Sequence, residues 1–312
     1  MRLRLLPLAS LPLLLFCGSL LMKEAEALRV LVTGAGGRTG KIVLRKLAER
    51  ADVEAVGQVR NKKSARQLEK WLGKEVKDSV RVVEGDILKL ESLNETMKGC
   101  DAVVLCTSAV PKPKVLSLLS VILFNSVVKA LGYKPWQLKF LWKGNGFPKE
   151  VDYDGAVNQI NAAKKAGVKK FVFLGSMGGS QPDNFLNSVA KDPQTGERGD
   201  ILLWKRKAER YLIESGIPYT IIHPGGLEDK PGREREVLIG VNDILLKRKY
   251  KGIPREDVAE MCVTSLFCDA ARNKAFDICT NPEGEGEATK DFCSLIGSLR
   301  EAYSYAGSAE PK

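Results

Sequence analysis

An apolar run at 28–32, Leu-Arg-Val-Leu-Val, leads directly into Thr33-Gly34-Ala35-Gly36-Gly37-Arg38-Thr39-Gly40 and then into a helix-forming stretch. Glycines spaced by three between a β-branched run and a helical one leave few folds open. Gly34 permits a sharp turn off the strand, Gly37 lets a ligand approach the backbone, and Gly40 lets the helix pack close to the sheet. The pattern predicts a strand-turn-helix unit of a parallel sheet. The rest of the chain keeps that rhythm, with short β-branched runs at 28–32, 53–59, 80–84, 102–106, 170–174 and 219–222. Helical segments fall between them at 39–50, 64–72, 90–98, 155–166 and 201–215, which predicts an α/β protein with a doubly wound parallel sheet.

The chain divides into a leader at 1–27, a nucleotide-binding body at 28–227 with an insertion at 110–150, and a small C-terminal cap at 228–312. The leader begins Met1-Arg-Leu-Arg, runs through leucines and ends Ala25-Glu26-Ala27, a secretory-signal or membrane-anchor grammar. The insertion's apolar stretch at 115–131, interrupted by Asn125 and Lys129, is short for a bilayer crossing and reads as a packed or interfacial helix. The cap is expected to cover the carboxyl edge of the sheet, where open α/β proteins bind ligands.

Composition narrows the chemistry. With 49 Lys and Arg against 38 Asp and Glu, the surface attracts anions, but the basic residues are scattered and no nucleic-acid-binding motif accompanies them, so nucleic acid is not an expected partner. One histidine, His223, and no Cys-x-x-Cys pair leave no zinc ligand set. The seven cysteines lie mostly in apolar runs and are expected to be reduced core residues.

The start of the first helix offers free N–H groups and positive dipole potential to a phosphate. Directly after the first strand of a βαβ unit, that arrangement predicts a dinucleotide site formed by Gly34, Gly36, Gly37, Arg38, Thr39 and Gly40. The second strand ends at Arg60, where an NAD enzyme usually places a carboxylate on the ribose hydroxyls. A guanidinium there, with Lys62 and Lys63 behind it, favours the 2′-phosphate of NADP(H), although a solvated basic turn would read the same way. Asp86 and Ile87 would hold the adenine edge, and Thr107 and Ser108 the ribose side.

These residues, with Leu174-Gly-Ser-Met-Gly-Gly179, Trp204-Lys-Arg-Lys-Ala-Glu209, Pro218-Tyr-Thr-Ile-Ile-His-Pro-Gly-Gly-Leu227 and Pro254-Arg-Glu-Asp-Val-Ala259, resemble the atypical short-chain dehydrogenase/reductases. More narrowly, they are similar to the plant NAD(P)-binding proteins of NmrA-like type. The resemblance implies a Rossmann fold, a serine-bearing loop after the fifth strand and a lysine near the nicotinamide ribose, here Ser176 and Lys205. It also implies a chloroplast or cytoplasmic location, whereas the leader points to the secretory route or a membrane anchor.

The chain departs from the family's Tyr-x-x-x-Lys pattern, because Ile201 stands where the tyrosine belongs. A hydrocarbon cannot carry a proton, so Tyr153, Tyr211 or a water would have to replace that hydroxyl. His223 stands where the resemblance leads one to expect arginine, and reads as a structural residue rather than a general base. Ser176 either orients a substrate or bonds the nicotinamide or a backbone amide. Two functions follow: an NADPH-dependent reductase of a small carbonyl or activated alkene, or a non-catalytic NADP(H) sensor or scaffold.

Overall fold

The computed structural model describes residues 27–134, 140–142, 146–191, 196–307 and 309–311, so the leader lies outside the described residues apart from Ala27. All six β-branched runs form strands: β1 (Leu28–Thr33), β2 (Val53–Val59), β3 (Val80–Glu84), β4 (Ala102–Leu105), β5 (Lys170–Leu174) and β6 (Tyr219–Pro224). Two more, β7 (Val237–Gly240) and β8 (Lys274–Thr280), complete an eight-stranded sheet of order β7-β8-β6-β5-β4-β1-β2-β3. Every pairing is parallel except β7 against β8. The strand order reverses between β1 and β4, and in open α/β sheets the carboxyl ends of the two strands at such a reversal border the ligand-binding crevice.

Alternation along β1 explains the two layers of helices. Val30 and Val32 enter one core, and Leu31 enters the other, all three without exposed surface. Helices α1 (Gly40–Ala48), α2 (Lys62–Lys77), α7 (Arg255–Phe267) and α8 (Phe292–Ser298) supply the first core. Helices α3 (Leu90–Met97), α5 (Gly155–Ala166) and α6 (Ile201–Glu214) supply the second. In α2, Asn61 caps the start by accepting the Ser64 N–H at 3.0 Å, and Gly73, at φ 75°, breaks the helix one residue beyond the expected end. Inside the insertion the apolar run forms α4 (Val115–Ala130), with Leu119, Ile122 and Leu123 exposed. No helix among the described residues is long and apolar enough to cross a membrane.

Two expectations need correction. Residues 228–312 do not form a separate cap, because β7 and β8 join the main sheet and α7 packs on α1, so the segments on either side of 227 share one core. The cysteines are not all reduced either: Cys268 and Cys293 form a disulfide across a separation of 25 residues, tying the end of α7 to α8. In the chain-entropy account a loop of that length stabilises the fold by about 3 to 4 kcal/mol. Cys100, Cys106, Cys262 and Cys279 are free.

Candidate functional site

The glycine turn sits at the strand-order reversal. Gly34 has φ 68°, and a Cβ there would lie 2.8 Å from the Cys106 backbone, so the end of β4 can pass this close only because the side chain is missing. The Gly37 N–H donates to the Gly34 carbonyl at 2.8 Å and closes the turn. A Cβ on Gly40 would overlap that same carbonyl, so Gly40 serves the turn itself. The close packing of helix on sheet belongs instead to Gly57 of β2, where a Cβ would meet Leu44 of α1 at 2.5 Å, a role the sequence reading missed. A Cβ on Gly36 would make ordinary van der Waals contact with Val59 Cγ1 at 3.6 Å.

Among the described residues, the N–H groups of Gly36, Arg38, Thr39 and Gly40 donate to no protein acceptor, and Thr39 makes no side-chain cap. Unsatisfied donors at the mouth of α1 are what a diphosphate needs. Arg38 is paired with exposed Asp229, whose other oxygen takes Arg255 at 2.6 Å.

Arg60 emerges exposed from the tip of β2. Gln58, two residues earlier, is buried, donates to the Gly85 carbonyl at 3.2 Å and accepts the Thr96 hydroxyl at 2.8 Å. Asp86 shapes its own turn by accepting the Leu88 N–H at 3.1 Å. The Ile87 carbonyl accepts Asn158 of α5 at 3.0 Å.

Across the crevice, the segment after β4 is held by α5 and by the π-helical turn that precedes it at Lys149–Asp154. Thr107 Oγ1 accepts Gln159 Nε2 at 3.2 Å, and the Ser108 hydroxyl donates to the Ala109 carbonyl at 3.3 Å. The Ala109 N–H donates to Asp152 Oδ2 at 3.0 Å. The other oxygen of Asp152 pairs with Lys205 Nζ at 2.7 Å, the carboxylate wholly buried and the lysine 8% exposed. Asp152 was absent from the sequence reading, since no local spacing announces a partner 53 residues away. Desolvation pushes the neighbouring Cys106 thiol up to about 12, so it is a neutral thiol.

Ser176, after β5, donates to the Met177 carbonyl at 3.1 Å. Ile201 occupies the first turn of α6, on the same face as Lys205. Both tyrosines considered as substitutes are otherwise engaged: Tyr153 stacks on Trp204 at 5.5 Å between centroids, and the Tyr211 hydroxyl donates to Asn161 at 2.8 Å. His223 lies near the end of β6 with no exposed surface. No group of three potential metal ligands is assembled among the described residues.

A protein-family model described as NAD(P)H-binding matches residues 34–269. Sanguinarine reductase of Eschscholzia californica is 42% identical over 282 residues, covering 88% of this chain and 97% of that protein. An uncharacterized chloroplastic protein of Arabidopsis thaliana is 45% identical over 272 residues, covering 87% and 75% respectively. An oxidoreductase from Lactococcus lactis superposes with a TM-score of 0.58 at 19% identity over 87% of this chain and 96% of that one, a likeness of fold.

Proposed function

The chain belongs to the NAD(P)H-binding family of atypical short-chain dehydrogenase/reductase type, and on that premise we propose that it is an NADPH-dependent reductase of a small carbonyl or activated-alkene substrate. One observation carries the reading: a turn with four unsatisfied N–H groups opens α1 at the strand-order reversal, and a buried lysine is held by the buried carboxylate that also binds the segment after the neighbouring strand β4. NADPH would supply the hydride. The turn would hold its diphosphate, and Arg60 with Lys62 and Lys63 the 2′-phosphate. Lys205 is held as an ion pair by Asp152 and would grip the ribose hydroxyls with its N–H groups, while its charge favours a developing oxyanion. Ser176 orients the acceptor. With Ile201 in place of a hydroxyl, the proton that follows the hydride comes from water or from Ser176 Oγ.

Purified protein mixed with NADPH and a panel of sanguinarine, quinones, aldehydes and enones should oxidise the cofactor with at least one of them. Lys205→Ala should abolish that turnover and weaken NADPH binding only modestly, by less than about tenfold, because the ribose contact is lost while the diphosphate and 2′-phosphate contacts remain. Tight NADPH binding without turnover across the panel would favour the second reading, a non-catalytic sensor or scaffold, for which the loss of the tyrosine at Ile201 speaks directly. We place the protein in the chloroplast, on the strength of the chloroplastic Arabidopsis relative, with membrane association through the N-terminal segment as the competing assignment.

A further inference from the structure

His223 is the only histidine in 312 residues, and its two ring nitrogens both face carboxylates. Nε2 lies 3.1 Å from Glu209 Oε2, and Nδ1 lies 3.2 Å from Asp277 Oδ1. Ionised carboxylates only accept hydrogen bonds, and a neutral imidazole has a single N–H. Both contacts are hydrogen bonds at once only if the trio holds one extra proton. The ring is the stronger base, with an ordinary value of about 6.5 against about 4 for a carboxyl. Burial raises the Asp277 carboxyl, and the imidazole and the Asp243 N–H, at 2.7 Å from Oδ2, work against that by favouring the carboxylate. Burial alone pushes the imidazole down, but the Glu209 charge and the hydrogen bonds to Asp277 and Glu209 outweigh it and raise it.

This buried charge is joined to the site from two sides. Through Asp277 it reaches Asp243, whose carboxylate accepts the N–H groups of Gly178 at 2.7 Å and Ser180 at 3.0 Å and the Ser180 hydroxyl at 2.5 Å. Those residues belong to the loop that carries Ser176. Through Glu209 it reaches α6, one turn beyond Lys205. The loop lies directly on the charged groups: a Cβ on Gly175 would come 2.6 Å from Glu209 Oε1 and 2.8 Å from His223 Cδ2, and one on Gly179 would meet Arg206 Nη2 at 2.5 Å.

We propose that His223 is a positioning residue whose imidazolium clamps the Ser176 loop to the Lys205 helix, and that loss of its proton loosens the loop as pH rises. The clamp stands on geometry, and only its effect on turnover rests on the reductase reading. The groups facing the ring are Glu209 and Arg206 of α6, Asp277 of β8, Asp243 after β7, and Tyr303, whose ring is 4.7 Å away and whose hydroxyl accepts from Arg206 at 2.7 Å. Tyr305 donates to Glu209 at 3.3 Å. With the proton, two cations oppose three carboxylates. Without it, Arg206 alone opposes them, and one carboxylate loses its donor. Because the folded value is raised, this stabilisation is complete below about pH 6.5 and is lost as pH climbs through the folded value. An arginine, the residue the family resemblance leads one to expect here, would hold its charge at every such pH.

A single histidine makes the test direct. In the full chain, ring 15N shifts should report both nitrogens protonated at pH 7, with deprotonation only well above 6.5. In step with it, exchange of the Gly178 and Ser180 amides, corrected for base catalysis, should quicken by about tenfold or more, a local opening rather than global unfolding. His223→Arg should keep that exchange slow and remove the step, and turnover should lose its matching alkaline fall with KM for NADPH unchanged. His223→Gln should exchange fast at all pH. A neutral ring at pH 7, or a titrating ring with no response from the two amides, overturns the proposal. Neither readout needs a substrate, so failure of the reductase reading would leave this test standing.

Discussion

The two walls of the crevice are made of different material. The wall formed by β1, β2 and α1 is backbone: a glycine turn with unsatisfied N–H groups, with Arg38 and Arg60 exposed beside it. The wall formed by the turn before α5, by α6 and by β6 and β8 is buried charge: Asp152 with Lys205, then Arg206, Glu209, His223 and Asp277, none more than 8% exposed. Backbone donors recognise a phosphate without needing any particular neighbour, whereas a buried charge has meaning only with its partner. Substitutions should therefore be strongly coupled on the second wall and independent on the first.

The largest effect should come from breaking the Asp152–Lys205 pair. Asp152→Asn leaves an ammonium buried without its counter-charge, a loss of about 3 to 5 kcal/mol of stability. Lys205→Met strands the carboxylate at a similar cost. The double variant should lose less than either single one, because two neutral side chains replace a paired site. Denaturant unfolding of the four proteins measures this, and simple additivity would show that the pair is not coupled.

On the backbone wall, Gly34→Ala should cost about 2 to 4 kcal/mol, combining a left-handed φ with overpacking against Cys106. Its mark should be NADPH binding weakened more than tenfold, with no dependence on the residue at 152. Coupling between positions 34 and 152 would show that the two walls are not separate devices.

What could be read in advance divides along the same line. The strands and the glycine turn were legible because β-branching, helical spacing and left-handed turns are written in neighbouring residues. Strand β8 was not, since its alternation of Phe276 and Ile278 is masked by Asp277, a charge that looks misplaced until His223 is beside it. Asp152 was hidden for the same reason, as were the Cys268–Cys293 bond and the seat of Leu44 on Gly57. Each depends on partners distant in the chain. Ser176 and Lys205 came from resemblance; one lies on a loop gripped by Asp243 and the other is held by Asp152.

Arg60 sharpens the contrast further. As an exposed guanidinium with no carboxylate partner among the described residues, it should act on the ligand alone. Arg60→Asp should weaken NADPH binding by about ten- to a hundredfold through the lost charge-assisted contact, leave NADH nearly unchanged, and leave stability untouched. Equal weakening of both cofactors would remove the 2′-phosphate from this residue.

The smallest effect should appear at Asp229, an exposed acid paired with Arg38 of the open wall. It holds Arg38 and Arg255 on its two oxygens, and Arg38 keeps it below the ordinary carboxylate range. A diphosphate arriving at the glycine turn competes with that carboxylate for Arg38. Asp229→Asn should therefore tighten NADPH and NADH alike, by about two- to threefold, since exposed ion pairs are weak and both cofactors share the diphosphate. The gain should shrink as salt is raised from low to physiological strength, because the competing charges are in water. Fluorescence titration of both cofactors at two salt concentrations reads all of this. If binding instead weakens, Asp229 is not a competitor but the post that sets the two arginines at their working distance, and the open wall would then depend on side-chain pairing as the buried wall does.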